Sequence, residues 1–170
     1  MSSAAGTTSV EVRLELNGIQ RTLTVATHAV LADVLRDDCG LQGCHIACDA
    51  GVCGACTVLI DGQPSAACSA LAFEADGAVL TTIEGLGDAA LHPLQRAFLE
   101  REAFQCGYCT GGMILAAHAL LRENPDPDEA AIRAALAGNL CRCTGYQMII
   151  EAVQAAAAAM RLDGAEGTAR

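Results

Sequence analysis

Residues 39–68, CGLQGCHIACDAGVCGACTVLIDGQPSAAC, constrain this chain more than any other stretch, because they hold six of its ten cysteines. Cys48, Cys53 and Cys56 run C-x4-C-x2-C, and Cys68 follows after eleven further residues. That is the plant-type spacing of four thiolates around a [2Fe-2S] cluster. The competing register fails: four residues separate Cys39 from Cys44, but three rather than two separate Cys44 from Cys48. Cys39 and Cys44 are therefore spare thiols. A loop that wraps a cluster must aim its thiolates inward and leave backbone N–H groups free for the sulfurs. Gly51 and Gly54 give the backbone that freedom, and Asp49, Ala50, Val52 and Ala55 between the ligands are small. A disulfide framework is disfavoured, because the opening MSSAAGTTS has neither the basic nor the apolar segment of a secretion signal. A zinc ribbon is disfavoured because such sites pair two C-x2-C knuckles, and the x4 step here has no role in one.

A second cysteine set lies downstream. Cys106-Gly107-Tyr108-Cys109 is a C-x2-C pair, and Cys141-Arg142-Cys143 is a C-x-C pair thirty-one residues later. Four cysteines on two turns of a helical unit can converge at one end of it. The first pair opens a predicted helix, whose unpaired N–H groups and dipole favour an anionic cluster. On spacing alone, zinc remains an alternative for this set.

Between these motifs the apolar pattern predicts two domains. Residues 1–9 read as a disordered tail. Val10, Val12, Leu14 and Leu16 alternate with polar neighbours as a half-buried strand, and Asn17-Gly18 turns the chain into a return strand with Ile19, Leu23 and Val25. Thr27 is placed to cap a helix over residues 29–37, where Val30, Val34, Leu31 and Leu35 form i, i+4 pairs. Strands are expected at 57–60, at 66–71 with Cys68 on it, and at 79–83, with turns at Asp61-Gly62 and Asp76-Gly77. Residues 10–83 thus form an α+β unit.

The boundary falls in Glu84-Gly85-Leu86-Gly87-Asp88, and residues 84–162 read as helical. One helix opens at His92-Pro93 with Leu94, Ala97 and Phe98 inward. A second, over 109–122, is apolar nearly all round and so belongs at the centre of its bundle. A third is capped by Asp126 or Asp128, and a fourth runs from Tyr146 or Gln147 to about Met160. Residues 163–170 read as a loose tail. With 52% hydrophobic but only 3% aromatic residues, the core is built from small aliphatics, so bound clusters would support folding as well as function. The net charge of −10 argues against nucleic acid or an anionic membrane as partner. No apolar run reaches the ~18 residues of a membrane span, and a cytoplasmic protein is expected.

Taken together, GCHIACDAGVCGACTVLIDG, the later Cys68, QCGYCTGGM from Gln105 and GNLCRCTGY from Gly138 to Tyr146 resemble the small iron–sulfur subunit of the molybdenum hydroxylases. That is the xanthine dehydrogenase, aldehyde oxidoreductase and aerobic carbon monoxide dehydrogenase family. The resemblance implies an N-terminal β-grasp, plant ferredoxin-like domain followed by a C-terminal four-helix-bundle domain. It implies two [2Fe-2S] clusters, one on Cys48, Cys53, Cys56 and Cys68, the other on Cys106, Cys109, Cys141 and Cys143. It also implies that Cys143 and Gln105 face the pterin of a molybdenum cofactor. Electrons would run from that molybdenum-pterin centre on a large subunit, through both clusters, to FAD on a medium subunit, in a dimer of heterotrimers. Substrate chemistry would belong to the large partner.

Two places depart from the family pattern: Gly111 stands where proline is usual, and Cys44 and Ala47 stand for Thr and Gly. Other residues carry less. His45, three residues before Cys48, invites a Rieske reading, but that needs two histidines paired with two cysteines and no C-x-H step exists. His28, His92 and His118 read as capping or surface residues. Arg142 either offsets thiolate charge or is simply exposed, and Tyr108 either packs over the second cluster or fills the core. Cys39 and Cys44 read as inert thiols. A free-standing two-cluster ferredoxin and a structural zinc protein are the alternatives from other classes.

Overall fold

The computed structural model describes residues 8–87 and 90–167. Strand β1 (Ser9–Leu16) buries Val12, Leu14 and Leu16, the alternate positions marked by the sequence, and pairs antiparallel with β2 (Ile19–Ala26). Asn17 and Gly18 join them with φ of 52° and 77°, the backbone that an Asn-Gly hairpin turn requires. Helix α1 (Leu31–Asp33) passes directly into a π-helical turn, Val34–Asp38, and Leu31, Val34 and Leu35 bury against the sheet. Val30, not Thr27, occupies the cap position, without a side-chain bond. The looser turn brings Arg36 over the approach to the cysteine loop, where its guanidinium donates to the Gln42 and Cys44 carbonyls (3.0 and 2.9 Å).

β3 (Thr57–Ile60) and β4 (Gln63–Ala66) form a second hairpin, and β5 (Val79–Thr81) lies parallel to β1 and antiparallel to β3. The strand order is β2-β1-β5-β3-β4. One expectation fails here: Cys68 is not on a strand at 66–71. β4 is the earlier segment Gln63–Ala66, a sheet edge where Pro64 is tolerated because no ladder bond is needed on the open side. Cys68 sits in the turn after it, closed by Ser69 N–H donating to the Ala66 carbonyl (3.0 Å), and this turn carries its thiol back to Cys56.

Four helices follow: α2 (Pro93–Glu100), α3 (Thr110–Glu123), α4 (Glu129–Ala135) and α5 (Gln147–Gly167). Asp128, rather than Asp126, caps α4 by accepting from Ala131 N–H (2.8 Å). α2 packs on α3 and α5, and α4 packs on the same two helices. Their core is Leu94, Phe98, Met113, Ile132, Ile149 and Val153 with interleaved alanines. The all-round apolar character of α3 has a different cause from a bundle centre. One side faces the helices, while Leu115 and Ala119 on another pack on Leu59 of β3. α3 is therefore the slab between sheet and helices, and the two cores meet across it. The architecture is α+β, a mixed sheet and helices. α5 continues past the expected end near Met160, so residues 163–167 of the expected tail are helical. The remainder of both expected tails, 1–7 and 168–170, lies outside the described residues, as does Asp88 of the boundary segment.

His92 and His118 meet edge to face at 5.0 Å. His92 fits its expected capping role, its Nδ1 accepting from Leu94 N–H (3.2 Å). His118 departs from the surface role expected for it: it sits mid-helix on α3, and its Nδ1 is buried with no hydrogen-bond partner among the described residues. Burial, then His92 and Arg122, push its pKa down to about 4. The unfolded chain takes up this proton near about 6.5, whereas the folded chain resists it until about 4. Stability tied to His118 is thus complete above the higher value and is lost as pH falls through that window. Urea unfolding from pH 7 to 4 is expected to show a steeper acid loss for the wild type than for His118→Leu; parallel curves would contradict this.

Candidate iron–sulfur centre

The loop between α1 and β3 has no regular structure, so its thiols are placed by turns. The backbone N–H groups of Ala50 and Val52, then the Cys53 thiol, lower the Cys48 pKa to about 6. Cys56 and Cys68 are buried side by side; burial, then Cys68, leave Cys56 up at about 11. Cys53 also acts on Cys56 through its charge. The four thiols of this first nest thus act on one another in two pairs, Cys48 with Cys53 and Cys56 with Cys68, and Cys53 links the pairs.

The second nest has the same form. Cys109 occupies the cap position of α3, and Cys106 and Cys143 bring their sulfurs to 3.6 Å. Cys109 pairs with Cys141, and burial followed by Cys141 pushes Cys109 up to about 12. The Tyr108 N–H, then Cys143, lower Cys106. Burial works against ionisation of Cys141, but the Thr144 hydroxyl (3.2 Å) and backbone N–H (3.5 Å) outweigh it and lower its pKa. Tyr146 holds this loop by accepting from Cys141 N–H at 2.9 Å.

These nests fit a dinuclear iron–sulfur group. Donated N–H groups favour thiolate in some members, while others are buried and costly to ionise without a cation beside them. Among the described residues, no three His, Cys, Asp or Glu side chains gather as a single metal ion would require. Four cysteine thiols in each nest match a [2Fe-2S] cluster in number and type of donor.

Gln105 is exposed and donates to the Cys143 carbonyl (3.2 Å), and Cys143 is itself exposed. The two residues expected to face a pterin are therefore neighbours at the surface. Cys44 is buried, donates to the Cys56 carbonyl (3.6 Å) and is pushed up to about 12 by burial, then by Cys56. Cys39 is raised too, by burial and then Asp38. For both, burial is the largest influence and disfavours the thiolate. Arg142 is exposed. Tyr108 does not fill the core, as one reading had it: it is 45% exposed and stacks on His45.

Sequence reasoning missed the residues that join the nests. Leu140 N–H donates to the Cys53 carbonyl (2.8 Å). The buried Asn139 donates through Nδ2 to the Gly54 carbonyl (2.9 Å) and to Thr57 Oγ1 (3.1 Å), and Thr57 in turn donates to Gly54 (2.7 Å). Leu140, beside Cys141 of the second nest, is thus bonded directly to Cys53 of the first. Gly54 has φ of +68°, and a Cβ on it would lie 2.5 Å from Asn139 Nδ2. Across the same seam, a Cβ on Gly112 would lie 2.1 Å from the Gly54 carbonyl oxygen. The only sequence signal was a polar residue, Asn139, inside an otherwise cysteine-centred motif. Among the described residues no helix is long and apolar enough to cross a membrane.

Comparison with known proteins agrees with this geometry. Residues 23–102 match a family described as a 2Fe-2S iron-sulfur cluster binding domain, and residues 82–154 match a [2Fe-2S] binding domain. The chain is 48% identical over 153 residues to the nicotine 6-hydroxylase small subunit of Paenarthrobacter nicotinovorans, covering 90% of this chain and 93% of that one. It is 47% identical over 146 residues to the nicotinate dehydrogenase small FeS subunit of Eubacterium barkeri, covering 85% and 93%. A crystal structure of quinoline 2-oxidoreductase from Pseudomonas putida 86 superposes with a TM-score of 0.87 at 44% identity, covering 91% of this chain and 97% of that chain. Shared spacing, shared fold and identity across nearly the whole length lead to one conclusion: the chain belongs to the small iron–sulfur subunits of the molybdenum hydroxylases.

Proposed function

We propose that this subunit relays electrons from a molybdenum-pterin centre on a large partner, through two [2Fe-2S] clusters, to FAD on a medium partner. Cys48, Cys53, Cys56 and Cys68 would hold one cluster and Cys106, Cys109, Cys141 and Cys143 the other, each close pair of thiols on one iron. The strand order β2-β1-β5-β3-β4 supports a β-grasp, ferredoxin-like unit over residues 10–83, and α2 to α5 support a four-helix unit over 84–162. When bound, each cluster supplies a one-electron couple, near about −400 mV in plant-type sites.

What this chain's residues contribute is positioning. The observation that carries the reading is the Leu140 N–H to Cys53 carbonyl bond, which ties a residue beside Cys141 to a member of the other nest. A free carrier has no need of two nests fastened together with one opening to the surface. Gln105 and Cys143 lie exposed at that opening, which supports the reading that they face a pterin. Exposed apolar residues flank both nests, Val52 (64%) at the first and Leu140 (53%) at the second, and these suit covering by partner subunits. In the purified complex, Cys143→Ser is expected to slow flavin reduction by substrate about 10- to 100-fold, the scale of a perturbed metal site. Stopped-flow absorbance reads this directly; an unchanged rate, or isolation of the chain without large and medium partners, would overturn the reading.

A further inference from the structure

His45 and Tyr108 are absorbed by neither cysteine nest, yet each stands in a loop that builds one. His45 lies three residues before Cys48, and Tyr108 lies between Cys106 and Cys109. Their rings stack with centroids 4.5 Å apart and planes 16° from parallel. His45 Nδ1 is 2.8 Å from the Tyr108 carbonyl. A carbonyl only accepts, so Nδ1 carries the proton and donates. The Tyr108 hydroxyl answers by donating to the Ile46 carbonyl at 2.8 Å. Two hydrogen bonds in opposite directions and a ring stack thus span the seam at one point.

Neither loop has helix or strand bonds to hold it at these positions. The second strap, from Asn139 and Leu140, fastens the far part of the first loop at Cys53 and Gly54. Tyr108 of one strap and Leu140 of the other line a single pocket of about 190 Å³, together with Cys53 of the first nest and all four thiols of the second. A loop held at one point can pivot about it. Held at two points, at His45–Ile46 and at Cys53–Gly54, it cannot, and the separation of the nests is set.

We infer that His45 and Tyr108 are positioning residues, a clamp that fixes the distance between the two cysteine nests and thereby between the groups bound in them. The inference rests on the two-cluster reading above. Each hydrogen bond removed from the clamp raises the opening of the seam by about five- to tenfold, and electron passage, which falls off steeply with distance, slows with it.

The test is electron paramagnetic resonance of the dithionite-reduced complex, where two nearby reduced clusters split each other's signals in a distance-dependent way. The wild type comes first: one signal, or none, means that the two-cluster reading has failed, before the clamp is tested. With two signals and a splitting present, His45→Ala is expected to narrow the splitting while both signals and the iron content persist. Tyr108→Phe, which removes one oxygen, narrows it less. His45→Asn, which restores a donor near Nδ1, recovers part of the loss. Hydrogen exchange of amides 45–48 and 106–109 rises in the same order. Wild-type splitting in all three variants overturns the clamp. So does loss of a cluster in His45→Ala accompanied by unchanged splitting in Tyr108→Phe.

Discussion

Gly112→Ala is expected to destabilise the chain by about 3 kcal/mol or more, the upper end of overpacking costs, because the new Cβ would meet backbone that cannot step aside. In an exposed helix the same change would stabilise by roughly 0.5–1 kcal/mol, so the sign is diagnostic. Gly112 lies in the first turn of α3, and an added Cβ would sit 2.1 Å from the Gly54 carbonyl oxygen. That oxygen already accepts from Asn139 and Thr57. Relief must therefore come from moving the first cysteine loop off α3, which also strains the Leu140 to Cys53 bond. Gly138→Ala is the control: its Cβ meets nothing within 4 Å and its φ is not positive. Urea midpoints of the two variants should diverge sharply; equal midpoints would show that the seam is not packed as described.

Cys53→Ser is expected to remove one [2Fe-2S] signal and leave the other. Iron–sulfur clusters select soft thiolate ligands, and a serine oxygen is a poor substitute. The substitution keeps the Cys53 backbone carbonyl, so the bond from Leu140 N–H survives and the second nest is undisturbed. Electron paramagnetic resonance of the reduced variant, with iron counted on the same sample, checks this. Retention of both signals would remove Cys53 from the ligand set, and loss of both would mean that the nests do not fill independently.

How much of this could be read from the sequence depends on whether the information is linear. Ligand spacing is linear, so the nests of paired thiols were legible from Cys48 to Cys143. So were the Asn17-Gly18 and Asp61-Gly62 turns, because φ near 51° and above is a local demand that names its own residues. The alternation in β1 is legible for the same reason, and the cap of α4 is legible down to a choice between Asp126 and Asp128. Cys68 was misplaced on a strand because Ala66–Leu71 is apolar enough to pass for one, while the true edge strand contains Pro64 and shows no alternation. For α3, a continuous apolar surface reports that every face is covered but not by what, and one cover turned out to be β3.

The seam between the halves was illegible for a plainer reason. Asn139 reaches Gly54 across 85 positions, and His45 reaches Tyr108 across 63. No periodicity relates such residues, and each looked unremarkable within its own segment. In the sequence His45 suggests only a ligand and Tyr108 only cover or core, whereas in the fold the two rings stack and bond across the seam.

Iron and acid-labile sulfide, measured on chain purified anaerobically and normalised to protein, test the central claim most directly. Two dinuclear clusters predict about four irons and about four sulfides per chain. About half those amounts, or iron without sulfide, would contradict the account.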